Sequence, residues 1–147
     1  MLSYNQALKG KKIFQDLQME EIKPIMKLII RGKKREFISA VGKSLNILLP
    51  TESNTSTQSD KLTALWLSPD EWMLFSNETV REDSNHYDIK ELLSNKISIK
   101  NLGAITDVTD QFVMINFKGN KIYELFQSGS PFNFNDFHKK KGAVAQT

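Results

Sequence analysis

Cysteine is absent from the 147 residues, which removes disulfides, thiolate metal sites and cysteine nucleophiles. Histidine is scarce: His86 and His138 are too few for a multi-histidine metal centre. With 4 Pro, 7 Gly and an ordinary apolar and aromatic content, neither low complexity nor intrinsic disorder suits this composition. The longest apolar run near the start, Leu28-Ile29-Ile30, is far short of a membrane span or a signal-peptide core. These absences predict a soluble, cytoplasmic protein. What remains is an ordinary globular composition, 39% hydrophobic and 25% charged, in a length that suits one domain with its own core.

The net charge of +3 is unevenly spread. Residues 1–50 carry 10 basic and 4 acidic groups, residues 51–100 carry 5 and 9, and the remainder 5 and 4. A basic first third beside an acidic middle gives a dipolar surface that can steer a charged partner. It lacks the concentrated basic stripe of a nucleic-acid binder.

Residues 1–16 are polar and lysine-rich and predict an N-terminal tail, leaving 17–147 as a single domain. Leu17–Ile22 and Ile25–Arg31 read as strands broken by Lys23-Pro24, since proline lacks a ladder donor. Phe37, Ile38, Val41 and Leu45 recur at helical spacing, with Gly42 near the end of that helix. Thr51–Asp60 has no apolar residue and predicts a surface loop. Two apolar strands, Leu62–Leu67 and Trp72–Phe75, flank Ser68-Pro69-Asp70-Glu71, which suits a type I turn. A second helix is expected over Asp83–Asn95, strands over Ile105–Val108 and Phe112–Phe117, and a third helix after Gly119. Asn120 would cap that helix, whose apolar face is Ile122, Leu125 and Phe126. The fold class that follows is α+β, a mixed, partly antiparallel sheet with helices packed on it.

The hairpin is the most informative segment. Pairing Leu67 with Trp72 puts Ala64, Trp66, Met73 and Phe75 on one face and Leu65, Leu67, Trp72 and Leu74 on the other. A ribbon apolar on both faces must be covered twice, by the domain's own helices or by another protein. One reading is a fully internal sheet; the other is that one face docks a partner, which would divide Trp66 and Trp72 between an internal and a docking face.

Other motifs carry less. Gly42-Lys43-Ser44 is like the end of a phosphate-binding loop, but Phe37 stands where the required glycine should be, and the fragment ends a helix instead of opening one. Asp107 and Asp110 flank a strand corner, where Asp commonly caps its own backbone. His86 and His138 have no plausible acid–base partner nearby. Arg31–Arg35 and Lys139–Lys141 read as solvated basic faces. No self-contained active site emerges.

Leu65-Trp66-Leu67-Ser68-Pro69-Asp70-Glu71-Trp72 resembles the "LWLGPDEW" signature of the gamma subunit of heterotetrameric sarcosine oxidase. Arg31-Gly32 with Phe37, then Leu49-Pro50-Thr51-Glu52 and Asn54, are similar to that family's "LRG…F…LPTEPN" stretch. Ala104–Asp110, Gly119–Phe126, Ser128–Asn133 and Gly142–Thr147 resemble further family segments in order, from about Ile25 to Thr147. Ser130 and Val144 stand where many relatives carry cysteine, and family members usually continue beyond "AQT", so the resemblance implies a domain lacking the family's C-terminal end.

The implied fold is that of the N-terminal folate-binding domain of aminomethyltransferase-like proteins. The implied role is a non-catalytic subunit that binds no cofactor or metal itself. The complex demethylates sarcosine oxidatively to glycine, passes the one-carbon unit to tetrahydrofolate and forms peroxide. FAD, FMN, NAD, tetrahydrofolate and zinc are expected on other subunits, and the partners are alpha, beta and delta, chiefly alpha. Neither nucleic acid nor membrane is an expected partner. Trp66, Pro69, Trp72, Pro131 and Phe132 are the candidate subunit interface. The alternative is a free-standing folate-binding domain of the aminomethyltransferase type.

Overall fold

The computed structural model describes residues 5–77, 86–134, 137 and 141–147, with residues 86 and 87 described by their backbone alone. The strands are β1 (Lys12–Phe14), β2 (Leu17–Glu21), β3 (Lys27–Arg31), β4 (Ser56–Gln58), β5 (Leu62–Ser68), β6 (Glu71–Ser76), β7 (Ala104–Asp107) and β8 (Ile115–Lys118). The helices are α1 (Arg35–Leu45), α2 (His86–Leu93) and α3 (Ile122–Gly129). The architecture is α+β. Among the described residues every strand pairing is antiparallel, where a partly antiparallel sheet was expected, and the strands form two sheets, β4-β5-β6-β3-β7 and β1-β2-β8.

Alternation along the larger sheet explains its core. Leu28 and Ile30 of β3 pair with Leu74 and Trp72 of β6, and these four side chains share one face with Leu62 and Ala64 of β5. Helix α1 lays Phe37 and Val41, four residues apart, onto that face. It ends at Asn46, whose left-handed conformation (φ 51°) serves as the cap. Helix α2 runs into a π-helical turn over Ser94–Ser98, in which the Ile99 amide donates to the Ser94 carbonyl. Leu93 and Ile97 thereby join the same core.

Several expectations are corrected. Lys12–Phe14, placed in a tail, forms β1: Asp16, at φ 61°, turns the chain back onto β2, and the lysines suit a solvent-facing edge. Gly119 (φ 126°) lies so close to that turn that a Cβ would sit 2.1 Å from the Asp16 carbonyl oxygen. The predicted loop Thr51–Asp60 contains β4, because a polar run can pair as an edge strand when its neighbour carries the core residues. β2 and β3 belong to different sheets, as do β7 and β8, so the corners at Lys23-Pro24 and Thr109-Asp110 are crossings between sheets.

At the third helix the N-cap is Lys121, without a side-chain bond, in place of Asn120. Leu125 faces solvent, while Ile122, Tyr123 and Phe126 turn inward. Of the second helix, residues 83–85 lie outside the described residues, as does His138.

The hairpin register is also corrected. Ser68 pairs with Glu71 as the turn requires, but Trp66 pairs with Trp72, so Leu67 is an extra, bulged residue. The bulge inverts the alternation beyond it. Both tryptophans therefore stand on the core face, and Thr63, Leu65, Met73 and Phe75 share the other. That second face is half-buried.

Candidate functional site

Four of the segments that carry the family resemblance, residues 31–37, 49–54, 65–72 and 142–147, meet one another at one end of the larger sheet. The Trp72 ring is 1% exposed, stacks on Phe37 with centroids 5.9 Å apart, and donates its Nε1–H to the Pro50 carbonyl at 2.7 Å. Phe37 in turn lies over Gly32 and Gly103, whose missing side chains leave room for the ring. The Gly32 amide donates to the Asp70 carbonyl at the hairpin tip (2.9 Å), and the Ser68 hydroxyl donates to the Asp70 carboxylate.

The last residues close the edge. Ala143 bridges to Thr55, the Val144 amide donates to the Asn54 carbonyl, and the Ser56 hydroxyl donates to the Gly142 carbonyl. The Gln146 side-chain Nε2 donates to the bulged Leu67 carbonyl at 2.7 Å. These contacts use carbonyls, amides and apolar rings. Together with the Ser56 and Ser68 hydroxyls and the Asp70 carboxylate, they fix how these segments sit against one another.

The five predicted interface residues separate accordingly. Trp72 belongs to the core and presents no surface in this chain. Trp66, on the same face but nearer the tip, is half-buried against that core. Pro69 is exposed at the tip, held by the ion pairs Arg31–Glu71 (3.2 Å) and Lys33–Asp70 (4.0 Å). Pro131 is exposed, and Phe132 is half-buried in an aromatic cluster with Phe134 (4.9 Å) and Phe137 (6.0 Å). Phe126 of α3 links that cluster to Phe117 of the smaller sheet. The hairpin tip and Phe132 thus sit on different sheets.

At the corner after β7, the Asp107 carboxylate accepts the Thr109 amide at 3.0 Å and pairs with Lys90 at 3.5 Å, a structural role as the sequence implies. Burial pushes the Asp107 carboxyl up, but the amide and hydroxyl of Thr109 together with Lys90 outweigh it and hold the group below its ordinary 3.8. A depressed folded-state carboxyl adds stability that is present above the unfolded value and lost as pH falls through the folded one. Stability below about pH 4 is therefore expected to fall more steeply in the wild type than in Asp107→Asn, read from urea midpoints across an acid series.

Lys27 is buried beside this corner, and its ammonium donates to the carbonyls of Ile25 and Thr109. Burial lowers its pKa from 10.5, and Asp110 and Asp107 partly oppose the shift. Among the described residues no group of three or more His, Cys, Asp or Glu could hold a metal, and no helix is long and apolar enough to cross a membrane. An open groove of about 970 Å³ lies between the end of α1, β4 and α2. Asp60 and Lys61 are the charged residues among its described liners, and Leu48 at its rim is 81% exposed.

No family model and no curated protein sequence matches the chain. A solved structure does: heterotetrameric sarcosine oxidase from Corynebacterium sp. U-96, in complex with pyrrole 2-carboxylate, contains a chain that overlays this one with a TM-score of 0.70 at 15% identity. The overlay covers 84% of this chain and 60% of that one, so this chain spans about 60% of its neighbour's length. The two share a fold.

Gly103 and the bulge at Leu67, on which the local geometry turns, were missed in the sequence. For Gly103 the signal was its place one residue before a strand that pairs with β3. Nothing in the hairpin sequence marks Leu67 as the extra residue.

Proposed function

We propose that this chain is a non-catalytic structural subunit of a sarcosine oxidase-type flavoenzyme complex, in the position of its gamma subunit. The observation that carries the reading is the fold shared with a chain of a heterotetrameric oxidase over 84% of this sequence. The motif-bearing residues support it, because they are spent on holding the hairpin, the Pro50 stretch and the last six residues together.

In this reading the complex oxidises the N-methyl group of sarcosine to give glycine. The one-carbon unit passes to tetrahydrofolate, and oxygen is reduced to peroxide. FAD, FMN, NAD, tetrahydrofolate and zinc sit on the other subunits. This chain packs chiefly on alpha, within a cytoplasmic assembly that includes beta and delta. Trp66 and Pro69 at the hairpin tip, with Pro131 and Phe132, form the docking surface, and Trp72 supports the tip from inside.

Co-expression with candidate alpha and beta chains tests the proposal. The chain is expected to co-purify with the flavoprotein, and a purified flavoprotein that never contains it would end this reading. Titration of the isolated chain with a reduced folate is expected to give no saturable heat; saturable heat would favour the free-standing folate-binding domain instead. Within the complex, Trp66→Ala should weaken assembly at least about tenfold, as removal of an aromatic anchor does. Sedimentation equilibrium with the partner subunits would measure it.

A further inference from the structure

Two of the four sheet edges, β4 and β1, are treated differently. β4, at one edge of the larger sheet, is flanked by the chain's own final segment through Thr55 and Ala143. β1, at one edge of the smaller sheet, pairs with β2 on its inner side, and among the described residues nothing bonds to its outer side. Its side chains are fully outside: Ile13 is 71% exposed and Phe14 57%. The strand is held in place from behind. The Leu8 amide donates to the Glu21 carboxylate at 2.7 Å, and the Asp16 turn rests on Gly119.

We propose that the outer edge of β1 is a docking site for an extended, acidic segment of a partner protein, which adds to the smaller sheet as a fourth strand. The inference rests on reading the chain as a subunit of a larger assembly and names the chemistry of one contact in it. An unpaired edge supplies main-chain donors and acceptors to an incoming strand, and the side chains on each face select what enters. Phe14 shares its face with Leu17, its partner in β2, by register, while Met19 and Phe117 pair two positions on. It is the uncovered margin of that apolar layer, so the incoming strand needs an apolar residue beside it.

Charge fixes the rest. Lys9, Lys11 and Lys12 are exposed at the edge, and Lys118 stands in the same row as Ile13 and Gln18. Lys121 lies at the β1–β2 turn, where its amide donates to the Asp16 carbonyl. Asp16, Glu20 and the buried Glu21, whose carboxylate accepts the Leu8 amide, are the acidic residues of the β1–β2 hairpin set against these five lysines. Antiparallel self-pairing about Ile13 would set Lys12 of one copy only two positions along from Lys12 of the other, a separation on the order of the Debye length, about 8 Å at physiological salt. A second copy is therefore repelled by the same lysines that attract carboxylates.

The test uses the whole chain, isotope-labelled, titrated with the synthetic peptide acetyl-(Glu-Val)4-amide and, as control, acetyl-(Lys-Val)4-amide. Saturable amide shifts confined to β1 and its neighbours with the acidic peptide, absent with the basic one, are the expected result. Lys11→Glu/Lys12→Glu, both exposed, should abolish them without changing the far-UV circular dichroism. Equal shifts with both peptides, or none with either, would overturn the proposal. So would dimerisation of the free chain that Phe14→Asp removes, or sedimentation with phosphatidylglycerol vesicles without peptide binding.

Carried into the co-expressed complex, the double variant should weaken assembly at least about tenfold at low salt and flatten its salt dependence. A complex that forms with unchanged affinity would overturn the edge contact alone. A flavoprotein that never takes up the wild-type chain would overturn the subunit reading, while the peptide titration still decides the edge.

Discussion

Trp72→Ala is expected to cost about 3–5 kcal/mol of folding stability, the range for deleting a buried aromatic. Three separate losses add up to that figure. The indole is fully inside the sheet–helix interface, it stacks on Phe37, and its Nε1–H satisfies the buried Pro50 carbonyl. Trp72→Phe separates them, since it keeps most of the burial and the stacking but orphans the carbonyl, at about 1–3 kcal/mol. Trp66→Ala should cost less, about 1–2 kcal/mol, because that ring is only half removed from water. Urea unfolding followed by circular dichroism would rank the three. Equal costs for the two alanine variants would mean that the hairpin is core throughout, and would remove Trp66 from the proposed docking surface.

That ranking was only half legible in the sequence. Alternation within β5 and β6 announces an apolar ribbon, and the turn residues fix where it folds back. One bulged residue, Leu67, decides which side chains share a face, and its cause is tertiary: the freed carbonyl is taken by Gln146, 79 residues away. β1 and β4 were hidden for a related reason. Edge strands need pair on only one side, so Lys12–Phe14 and Ser56–Gln58 carry none of the hydrophobic periodicity that marks a core strand. Helix α1 was readable because its own buried positions, Phe37 and Val41, set its period. The Phe132–Phe134–Phe137 cluster could have been suspected from its crowding of phenylalanines, but its partners on α3 and β8 are set by the chain's path between sheets.

The second large effect is expected at glycines, and it separates packing from backbone. A Cβ on Gly103 would fall 2.2 Å from the Arg31 carbonyl oxygen and 2.7 Å from the Phe37 ring, whereas on Gly32 its nearest neighbours would be atoms of the Phe37 ring, the first at 2.4 Å. Overpacking of this kind costs about 1–3 kcal/mol and sometimes more. Gly103→Ala should reach the upper end, because the Arg31 carbonyl belongs to β3, which is paired on both sides by β6 and β7 and cannot yield. Gly32→Ala should be relieved in part by Phe37→Leu, which removes the ring atoms in its way, while Gly103→Ala should not. A double-mutant cycle on thermal stability reads the difference as a coupling of at least about 1 kcal/mol for Gly32 with Phe37 and less for Gly103 with Phe37. The contrast bears on docking as well. The Gly32 amide holds the Asp70 carbonyl, so a ring displaced by Gly32→Ala pushes on the segment that positions Pro69. In the proposed complex, a Gly32→Ala/Phe37→Leu protein that regains its stability should also regain its affinity for the other subunits, as measured by sedimentation equilibrium.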